Sequence, residues 1–530
     1  MATRTQVLVV GGSLNGLTTG LLLADLGVDC IVVERHPGTA IQYKFAGISP
    51  RSMEIFRGLG IEDEIRANKT GDQQAGGIAR GRTLSDPDLT WMRGSAWPDV
   101  TGLSPTPPAT CDQHVLEPIL RAHAERRGAD VRFNTELVSF AQSDDRIDAI
   151  VRDRATGRDE HVQADYLVAA DGANGSVREM LGIDRDGPGV LQHWMNIVFD
   201  TDLEPVLQGK RMTSCFVMDL NATFTAREGG RWLLALQYAP EKGETPESFD
   251  AEKTRELVRK GAGRDDVKAD LVDARPWEVA ALVARRFRDR RAFLVGDAAH
   301  LMPPTGAFGG NTGIHDAHNL AWKLAAVLNG TADPALLDTY DAERRSVAQR
   351  SLDQALARLR AWFKDPSNRL PPAVPQVDDY DVVFGQRYDA GAVIAEETPP
   401  PRPFEPAREL SGRPGTRAPH FTVEYRGQRM STLDLFGKRF VLLAGPESDA
   451  WCDAARRLGI ECRRFGSDLV DVDRRWPSAF GVTDAGAVLV RPDDVVAWRS
   501  AGTSIQPARM LHDVCARLGL RVRLQQPAHR

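Results

Sequence analysis

The order of apolar and polar positions predicts that this chain begins as a βαβ unit. Thr5–Val10 (TQVLVV) is a short apolar run of the kind that forms a buried parallel strand. Leu17, Leu21, Leu22 and Leu26 then recur at helical spacing, and Gly27 closes that segment. Cys30–Arg35 (CIVVER) is a second apolar run, ending in an acid. Downstream, Met53, Ile55, Phe56 and Leu59 anchor a helix-turn-helix stretch, and Cys111–Gly128 carries an amphipathic helical pattern. DVRFNTELVSFAQ is predicted as a strand, and Tyr166–Ile183 as a strand, a glycine turn and a helix.

From about 190 to 285 the pattern changes to short strands (MNIVFDTDL, SCFVMDL, ATFTAREGGRWLLALQY), with a hairpin expected at Gly229-Gly230. The strand AFLV and a helix striped by Ile314, Ala317, Ala321, Leu324, Ala325 and Leu328 then restore the first character. The expected fold class is therefore α/β. A Rossmann-like nucleotide-binding domain occupies 1–185 and 286–397, the latter with a helical extension, and a mostly antiparallel sheet domain is inserted at 186–285. The Gly-, Pro- and Thr-rich residues 71–110 are taken as a long excursion. Residues 398–414 are taken as a proline-rich linker, and 415–530 as a small separate α/β domain.

Composition narrows the function classes. A chain of 530 residues needs more than one core. The net charge of −6 argues against a nucleic-acid or anionic-membrane partner. The six cysteines are scattered, with no C-x-x-C and no paired Cys/His spacing, so neither a disulfide framework nor a metal site is expected, and the natural setting is cytoplasmic. His315 and His318 flank Asp316, but no further ligand is near them in sequence. Asn15 and Asp25 interrupt the apolar residues 6–28, which fit a strand-loop-helix better than a signal peptide. No uninterrupted apolar stretch is long enough to span a bilayer.

The chemistry concentrates at two glycine-rich turns. In VVGGSLNGL, Gly11 and Gly16 hold the first and third positions of a Gly-x-Gly-x-x-Gly phosphate loop, and Ser13 stands at the second. Ser is small there, and its hydroxyl has the chemistry to donate to a phosphate at the helix N-terminus. Glu34 lies 18 residues beyond Gly16, where a dinucleotide fold places the carboxylate that accepts from ribose hydroxyls. The second turn follows AFLV: Gly296-Asp297, then Pro303-Pro304, Gly306, Gly309, Gly310 and Asn311 ahead of the striped helix. Glycines at a helix start leave N–H groups open to an electron-rich ligand. By residue type alone, Asp297 also fits a helix cap, Asp171 a turn organiser, Gln113 a solvated helix position and Arg35 a surface charge.

Together GGSLNGL…VVER, YLVAADGANGSVRE and GDAAHLMPPTGAFGGNTGIHDAHNLAWKL resemble the class A FAD-dependent aromatic hydroxylases, the para-hydroxybenzoate-hydroxylase-like monooxygenases. The likeness is strongest to their aromatic-polyketide subgroup, the aklavinone-hydroxylase type. It extends to STLDLFGKRFVLLAG and GAVLVRPDDVVAWR in the last domain, which resembles the thioredoxin-like domain of phenol hydroxylases. This resemblance implies FAD as cofactor, with NADPH or NADH as transient donor. Ser13, Leu14 and Asn15 would face the pyrophosphate, and Glu34 with Arg35 the adenosine end. Lys44 would replace a family arginine, keeping the charge without the fork. Gln113 would reach the flavin side, Leu137 would offer a backbone contact near the adenine, and Asp171 matches a motif tied to FAD and the nicotinamide. Gly296-Asp297 would hold the ribityl chain, and Pro304, Gly310 and Asn311 would line the isoalloxazine ring. Ala307 and Phe308 depart from the usual Gly-Gln pair.

The implied reaction is hydroxylation of a phenolic ring in a polycyclic, polyketide-type substrate, with NADPH, O₂ and a flavin C4a-hydroperoxide. Baeyer–Villiger insertion on a polyketide ketone, or a non-catalytic FAD-containing escort protein, are the competing expectations. No catalytic base is assigned: His300 fits a structural role within its motif, and Cys215 and Tyr238 on the inserted sheet are only candidates. No second glycine-rich βαβ unit is evident for the nicotinamide donor. A monomer or homodimer with a small aromatic substrate is expected. Cys452 has no cysteine three residues on, so disulfide-reductase chemistry is not expected of the last domain, and an architectural role is.

Overall fold

The first apolar run becomes the middle of a parallel sheet. The structure, a computed structural model, describes residues 2–40, 44–69, 77–93, 99–227, 230–362, 370–396, 402 and 404–522. Gly229 of the expected hairpin and residues 397–401 and 403 of the proline-rich stretch lie outside the described residues. Strand β1 (Thr3–Val10) leads through the glycine turn into helix α1 (Leu14–Asp25) and on to β2 (Cys30–Val33). β1 pairs in parallel with β2 and with strand Asp159–Ala169, which in turn pairs in parallel with Ala292–Leu294. Val7 to Val10 are buried on both faces, so the run has no polar alternation. Helices α1, Gln113–Arg126 and Phe308–Leu328 pack together against this sheet. No helix among the described residues is long and apolar enough to cross a membrane.

The inserted sheet is larger than its expected bounds. Its two long strands, Arg185–Asp200 and Asp270–Ala284, pair antiparallel with Trp194 opposite Trp277. Arg231–Tyr238, Ala222–Ala226 and Ser214–Val217 extend it in order. Ser214–Val217 then takes Ile78–Gly81 as a parallel neighbour, and Thr90–Arg93 closes that edge. The excursion at 71–110 therefore supplies two edge strands, whose pairing is set by a partner far along the chain rather than by their own pattern. At the other edge His300–Leu301 pairs with Asp270–Ala284, bringing the sheet to the second glycine-rich turn. One face buries Met195, Ile197 and Phe199 with Phe224 and Val258 of the Ala251–Ala262 helix, while Trp194 faces the first core.

The last domain is built on a four-stranded sheet in the order Glu461–Arg464, Val441–Ala444, Ala487–Val490, Val496–Ser500. Its strands alternate faithfully. Leu442 and Leu489 meet Trp451, Leu458 and Leu511 of the helices Asp449–Leu458 and Pro507–Arg517. Val441, Leu443, Val488 and Val490 meet Phe465, Trp476 and Phe480 on the opposite face. This is the thioredoxin-like arrangement.

Buried charge joins this domain to the first. Arg417 donates to Glu54 (2.8 Å), and Arg51 to Glu54 (3.0 Å) and Asp494 (2.8 Å). Arg491 donates through two nitrogens to Glu343 (2.9 Å each), which also takes Lys323 (2.8 Å). Ion pairs this deep hold only if every member is satisfied, because an unpartnered charge there costs several kcal/mol. The same interface encloses a polar cavity of about 40 Å³ lined by Arg51, His315, His318, Asn319, Arg344 and Tyr388.

His318 faces that cavity, which leaves it some accessible surface although protein surrounds it. Burial and the neighbouring Arg51 hold its imidazole down to about 3, against 6.5 for a free histidine. Burial likewise holds His420 down to about 4. Both folded values lie below the unfolded one, so the unfolded chain takes up these protons first, and stability present above pH 6.5 is lost as the pH falls toward 4. Asp494, pushed up to about 6 by burial, acts in the opposite sense over part of that range, as do the raised carboxyls of Asp171, Asp297 and Asp353. His315, lowered by burial, acts with the two histidines, which begin to act at higher pH than these carboxyls. Melting temperature should therefore fall between pH 6.5 and 4, and His318→Gln should flatten that slope. An unchanged slope would remove His318 as its cause.

Candidate functional site

The site is built where β1 ends. Gly11 (φ +103°) donates its N–H to Val33 O at 2.8 Å, and a Cβ there would sit 2.3 Å from Ala170 O. A Cβ at Gly16 would sit 1.7 Å from Gly11 O, so α1 starts in backbone contact with the turn that precedes it. Glycine at both positions is a steric requirement. The N–H groups of Ser13, Leu14, Asn15 and Gly16 find no acceptor among the described residues and stand at the positive end of α1.

Glu34 holds the adjacent corner. Its two oxygens accept from Gly12 N (2.7 Å) and His36 N (2.8 Å). Thr135 N donates to Glu34 O, which brings the strand Thr135–Gln142 alongside, with Leu137 beside a β-bulge in it. Arg35 is exposed there.

Two expected contacts are arranged differently. The Ser13 hydroxyl donates to Glu117 Oε1 (2.5 Å) rather than standing free for a phosphate. Gln113 is buried, not solvated, and its amide donates to Ser13 Oγ (2.9 Å) and Glu117 Oε1 (2.7 Å). Ala40 N completes the cluster on Glu117 Oε2 (2.6 Å). The buried Glu117 carboxylate needs donors, and these are within reach. Glu117 lies one helical turn beyond Gln113 on the same face, the spacing that would have revealed it in the sequence.

The second turn faces the first. Gly296 (φ +62°) approaches Asn15 so closely that a Cβ would lie 2.1 Å from its amide, and Gly313 approaches from the other side. Asn15 Oδ1 is buried without a hydrogen-bond partner. Asp171 accepts from Val177 N (3.1 Å) through one oxygen, organising the turn, while its other oxygen is buried and unpartnered. Burial raises the Asp171 carboxyl above its ordinary range. Asp297 caps no helix; its exposed carboxylate makes no hydrogen bond among the described residues. It is reached by solvent yet ringed by protein, and these surroundings push its carboxyl up, against the pull of His300 and Lys44. Lys44 and Asp297 thus share the cleft.

The loop that follows contains a strained entry. Ala307 adopts φ +57°, a conformation that favours the glycine usual at this point in the resembled family, and it opens the Phe308–Leu328 helix. Phe308 turns inward among Ala355, Val382 and Phe404, beneath Arg358. Pro304 is exposed. Gly310 is covered by the Phe45 ring, which a Cβ there would meet at 2.5 Å. Asn311 is tied into the protein through its side chain. Its amide is fully used, accepting from Ser49 N (2.9 Å) and Ser52 Oγ (2.7 Å) and donating to Gly47 O (3.0 Å) and Ala307 O (2.8 Å). Its side chain thereby fixes the loops.

His300 is fully buried, with Nε2 2.8 Å from Asp316, so it is part of the framework. Cys215 lies in the sheet core with its thiol pushed up to about 12 by burial, which removes it as a base. Tyr238 packs edge-on to Phe249 on that same core face. Glycine walls, open helix N–H groups and two unpartnered buried acceptors suit a long ligand bearing phosphates and hydroxyls, and the residues fit FAD in that respect.

Comparison with known proteins agrees. Residues 4–355 match the FAD binding domain family model, and 411–519 the aromatic-ring hydroxylase C-terminal domain model. The chain is 39% identical to tetracenomycin A2 monooxygenase-dioxygenase of Streptomyces glaucescens, covering 93% of each. It is also 39% identical to an aklavinone 12-hydroxylase of Streptomyces purpurascens, over 97% of this chain and 98% of that one. The crystal structure of aklavinone-11 hydroxylase with FAD and aklavinone superposes with a TM-score of 0.91 at 36% identity, covering 98% and 99% of the two chains.

The open carboxylate of Asp297 yields a direct test. Asp297→Ala should leave melting behaviour intact but weaken FAD binding by roughly 10- to 100-fold, the worth of charge-assisted hydrogen bonds. A yellow variant with unchanged FAD affinity by fluorescence titration would contradict this.

Proposed function

The chain belongs to the FAD-dependent aromatic-ring hydroxylases, and on that premise we propose that it hydroxylates a phenolic ring of a polycyclic, polyketide-type substrate using NADPH and O₂. The observation that carries this reading is the extent of the likeness. It runs through the inserted sheet as well as the nucleotide turns, to a protein solved with both FAD and a polycyclic aromatic ligand.

The open N–H groups of residues 13–16 would hold the FAD pyrophosphate. Glu34 would hold the adenosine ribose, with Arg35 and Leu137 at the same end. Asp297 would accept from the ribityl hydroxyls, and Lys44, Pro304 and Gly310 would border the ring. Gln113 and Asn311 act as positioning residues, through Ser13 and through the Gly47–Ser52 loop. When bound, FAD supplies hydride acceptance and oxygen activation.

The chain's own contribution is the environment. Phe45 and Met302, beside the second turn, and Leu191, Ala235 and Trp277, on the inserted sheet, are half-buried against the first core. They would sandwich a flat aromatic ligand and exclude water from the reacting carbon. The positive end of the Phe308–Leu328 helix would stabilise negative charge on the ring system beside it. Substrate approaching along the face that carries Trp194 and Trp277, whose rings lie 5.8 Å apart, would meet aromatic surface rather than a titrating base.

The Gly11–Gly16 turn is committed to FAD, so NADPH must meet the site transiently, and substrate should govern that encounter. NADPH should reduce the holoenzyme slowly alone and roughly tenfold or more faster with a polycyclic phenol, the scale of an ordinary coupling between two sites. Stopped-flow absorbance at the flavin band measures this. Reduction indifferent to every phenolic polyketide offered would favour the escort protein.

A further inference from the structure

The thioredoxin-like domain brings together two nucleophilic groups that the cleft does not use. Cys452 lies near the N-terminal end of the helix Asp449–Leu458, which follows the strand Val441–Ala444. Cys462 lies on the next strand, Glu461–Arg464, which pairs in parallel with Val441–Ala444. The βαβ turn sets the helix over that strand, and the Cys462 thiol donates to Cys452 Sγ at 2.7 Å. Both cysteines are half-buried thiols, whereas Cys30, Cys111, Cys215 and Cys515 are buried.

The two thiols are unequal. The hydrogen bond from Cys462 holds the Cys452 thiol below its ordinary range, and Arg464 adds to this against the opposing effect of burial. Cys462 is driven upward by the same contact and by burial, so it keeps its proton. Burial pushes the thiols of Cys30, Cys215 and Cys515 up to about 12. Accessibility, a position near a helix N-terminus and a lowered thiol define a reactive cysteine, and a protonated partner in contact defines a resolving one.

We propose that Cys452 and Cys462 form a peroxide-oxidised disulfide site, with Cys452 as the attacking sulfur and Cys462 as the resolving one. The Cys452 thiolate attacks one oxygen of hydrogen peroxide. The S–O bond forms, the O–O bond breaks, and the departing hydroxide takes up a proton to leave as water. Sulfur is oxidised to a sulfenic acid as peroxide is reduced. Cys462 sulfur then attacks Cys452 sulfur. The S–S bond forms, the S–O bond breaks, and a second water leaves with the Cys462 proton. Two thiols and one hydrogen peroxide become one disulfide and two waters. The pair is separated by helix and strand rather than by two residues, so it is distinct from a C-x-x-C reductase site.

The test uses the full-length, FAD-loaded protein with added hydrogen peroxide, followed by denaturation and alkylation with N-ethylmaleimide. Alkylated thiols should fall from six to four. A peptide map should show the 452 and 462 peptides joined and lighter by two hydrogens, and dithiothreitol should restore all six thiols. In Cys462→Ser, oxidation should stop at a dimedone-reactive sulfenic acid on Cys452. In Cys452→Ser, Cys462 should stay alkylatable at the same dose. Matching melting temperatures and flavin spectra establish that both variants fold. Six thiols surviving peroxide, oxidation falling on other cysteines, or Cys462 oxidising first would overturn the proposal.

Discussion

One buried carboxylate, Asp316, sets the relation between the parts of this molecule. It accepts from Gly296 N (3.1 Å) and lies 2.8 Å from His300 Nε2, fixing the turn from which Asp297 projects. Its other oxygen accepts from Arg344 Nε (2.7 Å), and Arg344 reaches Tyr388 and Thr312 O. Burial works against its charge, but Arg344 and His300 hold Asp316 down to about 2, so it stays ionised. The next residue to Arg344, Glu343, gathers Lys323, Asn319 and Arg491. The cleft turn, the Phe308–Leu328 helix, the Asp338–Trp362 helix and the last domain thus meet in one ionic framework. The charged members are desolvated, so loss of Asp316 or Glu343 would leave Arg344 or Lys323 without its carboxylate in low dielectric.

This framework explains what the thioredoxin-like domain does for the rest of the chain. Arg417 and Asp494 grip Arg51 and Glu54 on the helix Pro50–Gly58, whose first turn is held by Asn311 through Ser49 and Ser52. The helix that follows the Asn311-held loop is therefore positioned from the far domain. An architectural role is visible here as geometry. The reactive thiols occupy a separate place, on the strand and helix away from these contacts.

Much of the fold was legible in sequence because it is locally encoded. β1, α1 and β2 each declare themselves by the period of their apolar residues, and Gly11, Gly16 and Glu34 by their spacing. Asp297 stood out through the glycines that follow it. What was not legible depends on partners remote in sequence. Ile78–Gly81 is a strand only because Ser214–Val217 offers it an edge. The hydrogen bonds of Ser13 and Gln113 run to Glu117, which only the helical spacing from Gln113 hints at, and those of Asn311 run to loop backbone that no local pattern announces. Cys452 looked solitary because its partner sits across a helix-to-strand turn.

As an aromatic-ring hydroxylase, the protein should transfer one oxygen atom from O₂ to an aromatic ring. Mass spectrometry of product formed under ¹⁸O₂ in ordinary water tests it most directly. The expected product is a polycyclic phenol heavier by one ¹⁸O, carried as a new ring hydroxyl. A product whose added oxygen comes from water, or a ring-opened ester bearing ¹⁸O between two carbons, would contradict it.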